Sequence, residues 1–328
     1  MKLQILVPQY KEDDKVIKIL LDSIEIQQGI DFNDLSVIIA NDGSNVKLSN
    51  DLLNNYSYKI DYIQCQHEGV SATRNKLLEA ASADYIMYCD ADDMFCSSYG
   101  IWMIFREIGI GEFDVFVSKF IEETLESDRV KKTYVYHEND VTFVHGKVLR
   151  RQFLLDNNIR WNEDLTIHED SYFNVLAQTC TKNMRYLNEA FYMWRWNENS
   201  VCRKNIDDYM VTTYSYLIDS NEALIDELIK RDLKEQVDTY VCQRIIETYY
   251  TLNKPLWFDL SYSTYKDRVE KRIFDFLAKY IDIWNSVSFE EKMKISNQTR
   301  AAVVNKGMLM EQFTFDWWIQ HLVDTYNV

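Results

Sequence analysis

Over the first 120 residues, short apolar runs alternate with stretches of helical spacing, and the runs end in polar loops. Leu3 to Val7 is apolar and stops at Pro8. Ile17, Leu20, Leu21 and Ile24 then follow the i, i+3, i+4, i+7 spacing of a half-buried helix. Leu35 to Ala40 reads as a second strand, closed by the turn sequence Asn41-Asp42-Gly43-Ser44. Ile60 to Ile63 is a third. Val70, Thr73, Leu77 and Ala80 line one helical face. Asp84 to Cys89 is the fourth strand, Ile101, Ile104, Phe105 and Ile108 mark a helix, and Asp114 to Phe120 is a further strand. Strands alternating with helices predict an α/β fold, Rossmann-like, with a mostly parallel sheet and helices on both faces.

In a parallel sheet the C-terminal ends of the strands share one edge. Pro8 to Glu12, Asn41 to Gly43 and Asp90 to Asp93 therefore converge on one crevice, where a nucleotide is the usual guest. The third end carries three carboxylates, Asp90, Asp92 and Asp93. Clustered acids repel unless a cation is shared among them. The cluster thus points to a divalent metal helping to hold an anionic ligand, with a solvated acidic turn as the plain alternative.

Composition narrows the partners. With 47% apolar residues, 328 residues supply core for one large domain or two. The net charge of −16 makes nucleic acid a poor partner. Cysteines at 65, 89, 96, 180, 202 and 242 lack the spacing of a zinc or redox motif, so reduced thiols in a cytoplasm are expected. The first residues lack the long apolar region of a signal peptide, and no apolar run reaches the ~18 residues of a spanning helix.

The middle of the chain, 121 to 204, is mixed. His145-Gly146-Lys147 precedes an apolar and basic segment. Glu169 and Asp170 stand where a helical pattern through Tyr172, Val175 and Leu176 begins, so capping and dipole stabilisation compete with a catalytic role. From 205 to 328 only Pro255 and Gly307 interrupt helical patterns such as Leu217, Leu224, Ile225, Leu228 and Leu233, Val237, Tyr240, Val241, Ile245. This region is expected to be a helical domain. Its aromatic cluster from Phe313 to Trp318 fits a packed terminal helix, with an exposed contact surface as the alternative.

Five fragments in order make the pattern specific: Val7 to Glu12, Asn41 to Ser44, Gly69 to Asn75, Asp90-Ala91-Asp92-Asp93 and His168-Glu169-Asp170. Over residues 3 to 202 the chain resembles a family-two glycosyltransferase with the GT-A fold. The His145 to Lys147 and Tyr192 to Ser200 segments resemble bacterial polysaccharide-type members. The resemblance implies a nucleotide-sugar half over 1–120 and an acceptor half over 121–204. It places Pro8, Tyr10, Glu12, Asp42, His67, Arg74, Asp90 and Ala91 around the donor. Asp42 would read a uracil edge, Arg74 would sit beside the donor, and Asp90 would lie near the ribose. Asp92 would bind Mn²⁺ or Mg²⁺, and Asp170 would be the general base. Three departures stand out. Some members carry a histidine metal ligand after the base, and no histidine lies between Asp170 and Trp317 here, so the metal would be held mainly by Asp92, the donor diphosphate and water. Asn41 replaces a frequent aspartate, and His67 replaces a frequent asparagine.

The implied reaction is inverting transfer of a sugar from a nucleotide diphosphate sugar, a UDP-sugar favoured, to a hydroxyl on a glycan or glycoconjugate. Two alternatives stay open. A nucleotidyltransferase would usually carry a basic, Gly-rich first loop, and the loop from Pro8 to Asp14 is acidic and has no glycine. A nucleotide-sugar-binding module without chemistry would not need Asp42, Asp92 and Asp170 together. Peripheral membrane contact and self-association through the C-terminal helices also stay open.

Overall fold

A computed structural model of the chain describes residues 1–126, 130–198, 200, 206–252, 260–305 and 314–326. Asn199, Cys202, Pro255, Gly307 and Phe313, singled out above, lie outside these residues. The chain divides into two compact units, Met1–Glu198 and Asn199–Val328.

The first unit opens with strand β1 (Leu3–Gln9) and helix α1 (Asp14–Glu25). Asp13 caps α1 by accepting from the backbone N–H groups of Lys15 and Val16, and the predicted apolar stripe Ile17, Leu20, Leu21 and Ile24 is buried. Next come β2 (Leu35–Asn41), the short α2 (Asn50–Leu53), β3 (Lys59–Gln64), α3 (Val70–Ala80), β4 (Tyr85–Tyr88), β5 (Met94–Phe95) and α4 (Gly100–Ile110). The unit continues through β6 (Val115–Leu125), β7 (Lys132–His137), β8 (Lys147–Arg150), α5 (Arg151–Asp156), α6 (Glu169–Thr179) and β9 (Met184–Trp194).

The sheet order is β3-β2-β1-β4-β8-β6-β9-β5, with β7 pairing on β6. The first four strands are parallel, as the alternation predicts. Beyond β4 the pattern mixes. β8 runs antiparallel between β4 and β6, while β6 and β9 run parallel. Every residue of β2 is buried, so both of its faces are covered. Each aliphatic side chain removed from water there contributes about 2 kcal/mol.

α3 departs from its predicted face. Ala80 is exposed and Val70 half-buried, whereas Arg74 and Asn75 are buried with Leu77 and Leu78. Burying two polar side chains in one helix is costly without partners, and both have partners in the site described below.

The second unit is helical: α7 (Ile206–Lys230), α8 (Lys234–Leu252), α9 (Leu260–Ser286), α10 (Phe289–Asn305) and α11 (Phe315–Tyr326). Leu224, Ile225 and Leu228 of α7 and Val237, Val241 and Ile245 of α8 are buried. Arg272 of α9 pairs with Asp219 and Glu222 of α7. In α11, Trp318 is buried while Trp317 is exposed and stacks on His321. No helix among the described residues is long and apolar enough to cross a membrane.

Candidate active site

Strand register brings the predicted ends together. Gln9 pairs with Asn41, and the N–H of Cys89 donates to the carbonyl of Leu6 two residues before Pro8. Pro8, Asn41 and Asp90 therefore mark one edge of the sheet. Burial lifts the pKa of Glu12, and the charges of Asp92 and Asp90 lift it further, so the first loop faces the third across the crevice.

The second loop is built around two buried side chains. Asn41 is fully buried; its amide donates to the carbonyls of Val46 and Ser44 and to the Tyr62 hydroxyl, and its Oδ1 accepts the Ser44 N–H. A carboxylate has no hydrogens to donate. The asparagine is thus a loop brace, which gives the departure at 41 a structural reason. Asp42 accepts from His67 Nδ1 at 2.9 Å, from the Glu68 N–H at 2.9 Å and from the Gly69 N–H at 3.2 Å. Gly43 holds the turn at φ +71°, where an added Cβ would lie 2.4 Å from the His67 nitrogen. His67 stacks on the exposed Tyr10 ring at 4.6 Å, and the Tyr10 N–H donates to Glu12 at 2.6 Å. Tyr10, Glu12, Asp42 and His67 thus form one cluster, with the Lys11 ammonium 4.6 Å from the centre of the Tyr10 ring.

Arg74 joins two distant segments. Buried on α3, it donates to Asp90 Oδ1 at 3.0 Å and to Glu169 Oε1 at 2.9 Å, and it lies 4.4 Å over the Trp161 ring. Trp161 in turn stacks on Phe173 of α6 at 4.1 Å. Burial pulls the Arg74 pKa down, but Asp90, Glu169 and Asp170 together outweigh it and the net direction is up. Arg74 stays charged. Its neighbour Asn75 accepts from the Trp161 N–H and donates to the Trp161 carbonyl and to Glu163.

Asp170 sits in the first turn of α6, beside Glu169. His168, just before it, adopts the left-handed region at φ 63°, a conformation that costs a non-glycine residue energy and recurs at functional sites. The Asp170 carboxyl is crowded by protein yet keeps some contact with solvent. Desolvation first and the Glu169 charge second lift its pKa to about 7, against the opposing pull of Arg74 and the Ser171 N–H.

The acid loop is clamped from β9 and the residues after it. The Tyr192 hydroxyl donates to Asp93 Oδ2 at 2.6 Å and accepts the Asp90 N–H at 3.1 Å. The Arg195 N–H donates to Asp93 Oδ1, the Arg195 guanidinium to the Asp92 carbonyl, and the Asn197 amide to Asp92 Oδ2 at 2.8 Å. Asp93 and Ala91 are buried. Burial raises the pKa of Asp92 and raises that of Asp93 well above the usual carboxylate range. Among the described residues, Asp90, Asp93 and His145 each offer one ligand atom, all within 4.8 Å of one another. Two carboxylates and an imidazole fit a divalent cation. The Asp92 carboxylate stands outside that group and faces Asn197.

Tyr192, Arg195, Asn197 and His145 carry no role legible in the sequence, although both segments that hold them stand out there. The pattern puts Glu169 at a helix start and gives no sign of its pairing with Arg74. Nothing in the local pattern links residues 95 positions apart.

Acids at the strand ends, joined by Arg74 of α3 and the raised Asp170 carboxyl of α6, suit an α/β transferase of the GT-A fold. A sequence model of Glycosyl transferase family 2 matches residues 4–171, and the chain belongs to that family. It is similar to the uncharacterized glycosyltransferase EpsJ of Bacillus subtilis, 24% identical over 74% of this chain and 75% of that one. It also resembles the poly(ribitol-phosphate) β-N-acetylglucosaminyltransferase TarS of Staphylococcus aureus, 20% identical over 79% of this chain and 46% of that one. The crystal structure of S. aureus TarS 1–349 shares the fold at a TM-score of 0.63 and 16% identity, covering 92% of each chain. The same TarS fragment in complex with UDP-GlcNAc matches at 0.61 and 17% identity, covering 94% of this chain and 93% of that one.

Proposed function

We propose that this glycosyltransferase moves a sugar from a UDP-sugar to a hydroxyl of a glycan or glycoconjugate acceptor, with inversion and with Mn²⁺ or Mg²⁺. The observation that carries the reading is Asp170: a carboxyl raised to about 7, at a helix start, tied through Glu169 and Arg74 to the acid loop. A general base works best when its pKa lies near the working pH. The UDP-GlcNAc complex of the TarS fragment supports the nucleotide preference.

In this reading Tyr10 and His67 offer the base a stacking face, and Pro8, Glu12, Asp42, Arg74, Asp90 and Ala91 line the rest of the donor site. Asp92 would help hold the metal, which when bound offsets charge on the leaving diphosphate. Arg74 holds the donor loop and the base in one register. Asp170 takes the acceptor proton as the hydroxyl attacks the anomeric carbon from the face opposite the diphosphate. Residues 1–120 serve the donor and 121–204 the acceptor.

The test is Asp170→Asn. Transfer from a UDP-sugar should fall by about 10²- to 10⁴-fold while calorimetric UDP binding stays near wild type. Normal turnover by the variant would remove Asp170 from the chemistry. Pyrophosphate release from a sugar phosphate and a nucleoside triphosphate would move the protein to another reaction class.

A further inference from the structure

Arg74 is 4% exposed, and its two terminal nitrogens go to different segments, Nη1 to Glu169 and Nη2 to Asp90. Its Nε is buried and makes no hydrogen bond. A guanidinium held only at the tips of its fork keeps one freedom, a tilt about the line joining its two partners. The unpaired Nε gives nothing back against that tilt. What opposes it is the ring face of Trp161, 4.4 Å from the guanidinium carbon. Indole is the aromatic face that attracts a cation most strongly, and the attraction grows once water is excluded.

Trp161 is fixed in turn by three elements. Its backbone is held by Asn75, the residue after Arg74 on α3, which accepts the Trp161 N–H at 3.0 Å and donates to the Trp161 carbonyl at 3.0 Å. Its ring stacks on Phe173 of α6 at 4.1 Å, with the planes 6° apart. Tyr88, the last residue of β4, stands edge-on to both rings, at 5.1 Å from Trp161 and 5.9 Å from Phe173. The indole thus takes its position from the helix that carries Arg74, the helix that carries Glu169 and Asp170, and the strand that leads into the acid loop. Packing alone accounts for a tryptophan that is 2% exposed. It does not call for both backbone groups of that residue to be locked to the neighbour of the arginine it faces. Such supports are what hold a working side chain in one geometry.

We propose that Trp161 is a positioning residue: its ring face fixes the plane of Arg74, so that the fork meets Asp90 and Glu169 at the same time. With the plane fixed, the acid loop and the start of α6 keep one separation. With the plane free, Arg74 swings to one carboxylate and releases the other. The proposal rests on the function reading above for its effect on sugar transfer, but the hold on Arg74 is read without any sugar donor.

The experiment places tryptophans with increasing numbers of ring fluorines at position 161 of the full chain. Fluorine drains the negative face of the indole and scarcely alters its shape. Rotation of the Arg74 guanidinium is followed through exchange between its two ¹⁵N-labelled Nη signals, assigned with Arg74→Lys. In the wild type the two signals should stay separate. Exchange should quicken in step with fluorine count, by at least about threefold at full substitution, and kcat for sugar transfer should fall in the same order. The melting temperature should hold. Trp161→Phe, which keeps an aromatic face, should lie within the series, and Trp161→Leu beyond its end. Exchange that ignores the fluorine count overturns the proposal, and so does exchange that follows the melting temperature instead. If no UDP-sugar supports transfer, the function reading fails and the exchange series still decides what holds Arg74. If transfer proceeds and neither exchange nor kcat follows fluorine, this proposal fails alone.

Discussion

Glu169→Gln isolates the charge that poises Asp170, the proposed base. In the folded protein the Asp170 pKa moves from 3.8 to about 7, on the order of 4 kcal/mol against the anion. Burial is the larger cause and Glu169 the next. Glutamine has the same shape and keeps a carbonyl oxygen to accept from Arg74, so the register of α6 should survive. The charge is lost. A neighbouring like charge is worth on the order of one pKa unit, and Arg74, relieved of one counter-charge, pulls Asp170 further in the same direction. The base must be ionised to work, so activity rises with pH through its pKa. The midpoint of the kcat profile should therefore fall from about 7 to about 6. Near pH 6 the ionised fraction grows from about one tenth to about one half, roughly a fivefold gain, trimmed by the weaker basicity of the variant. Near pH 8 both enzymes are almost fully ionised, and the variant should be equal or slower. The assay is steady-state UDP release at saturating donor and acceptor across that range. A midpoint that stays put, or one that rises, would refute the electrostatic argument.

Other substitutions test the scaffold. Asn41→Asp puts a charge among three acceptors that need a donor, and should cost about 3 kcal/mol, read as a lower denaturant midpoint with an unchanged slope. Tyr192→Phe strips the hydroxyl that serves both Asp93 and the Asp90 N–H, and should cost about 1–3 kcal/mol, seen as a lower melting temperature and weaker UDP binding.

The parallel part of the fold is legible in the sequence because its signals are local. An apolar run ending in a polar loop marks each strand, and the stripe of α1 at Ile17, Leu20, Leu21 and Ile24 is buried as its spacing implies. The insertion of β8 between β4 and β6 is not legible, because antiparallel pairing across some sixty residues leaves no periodic trace. The candidate site divides in the same way. Acids at strand ends announce themselves. The Arg74 bridge to Glu169 and the Tyr192 hold on Asp93 depend on which side chains meet after folding. Amphipathic periodicity also misleads at α3, where Arg74 and Asn75 are buried against spacing because ion pairs and a tryptophan receive them.

The hold that Tyr192, Arg195 and Asn197 keep on the acid loop bears on how far this enzyme is modular. The loop belongs to the first 120 residues, but its hydrogen-bond partners arrive about a hundred positions later, at the end of β9. A chimera that joins the first 120 residues to a relative's second half would therefore inherit a foreign grip on Asp92 and Asp93. Grafts meant to exchange acceptor preference should carry the chain from 184 to 197 along with residues 1–120, or the transplanted enzyme will lose the geometry of its acid loop before a new acceptor is ever tried.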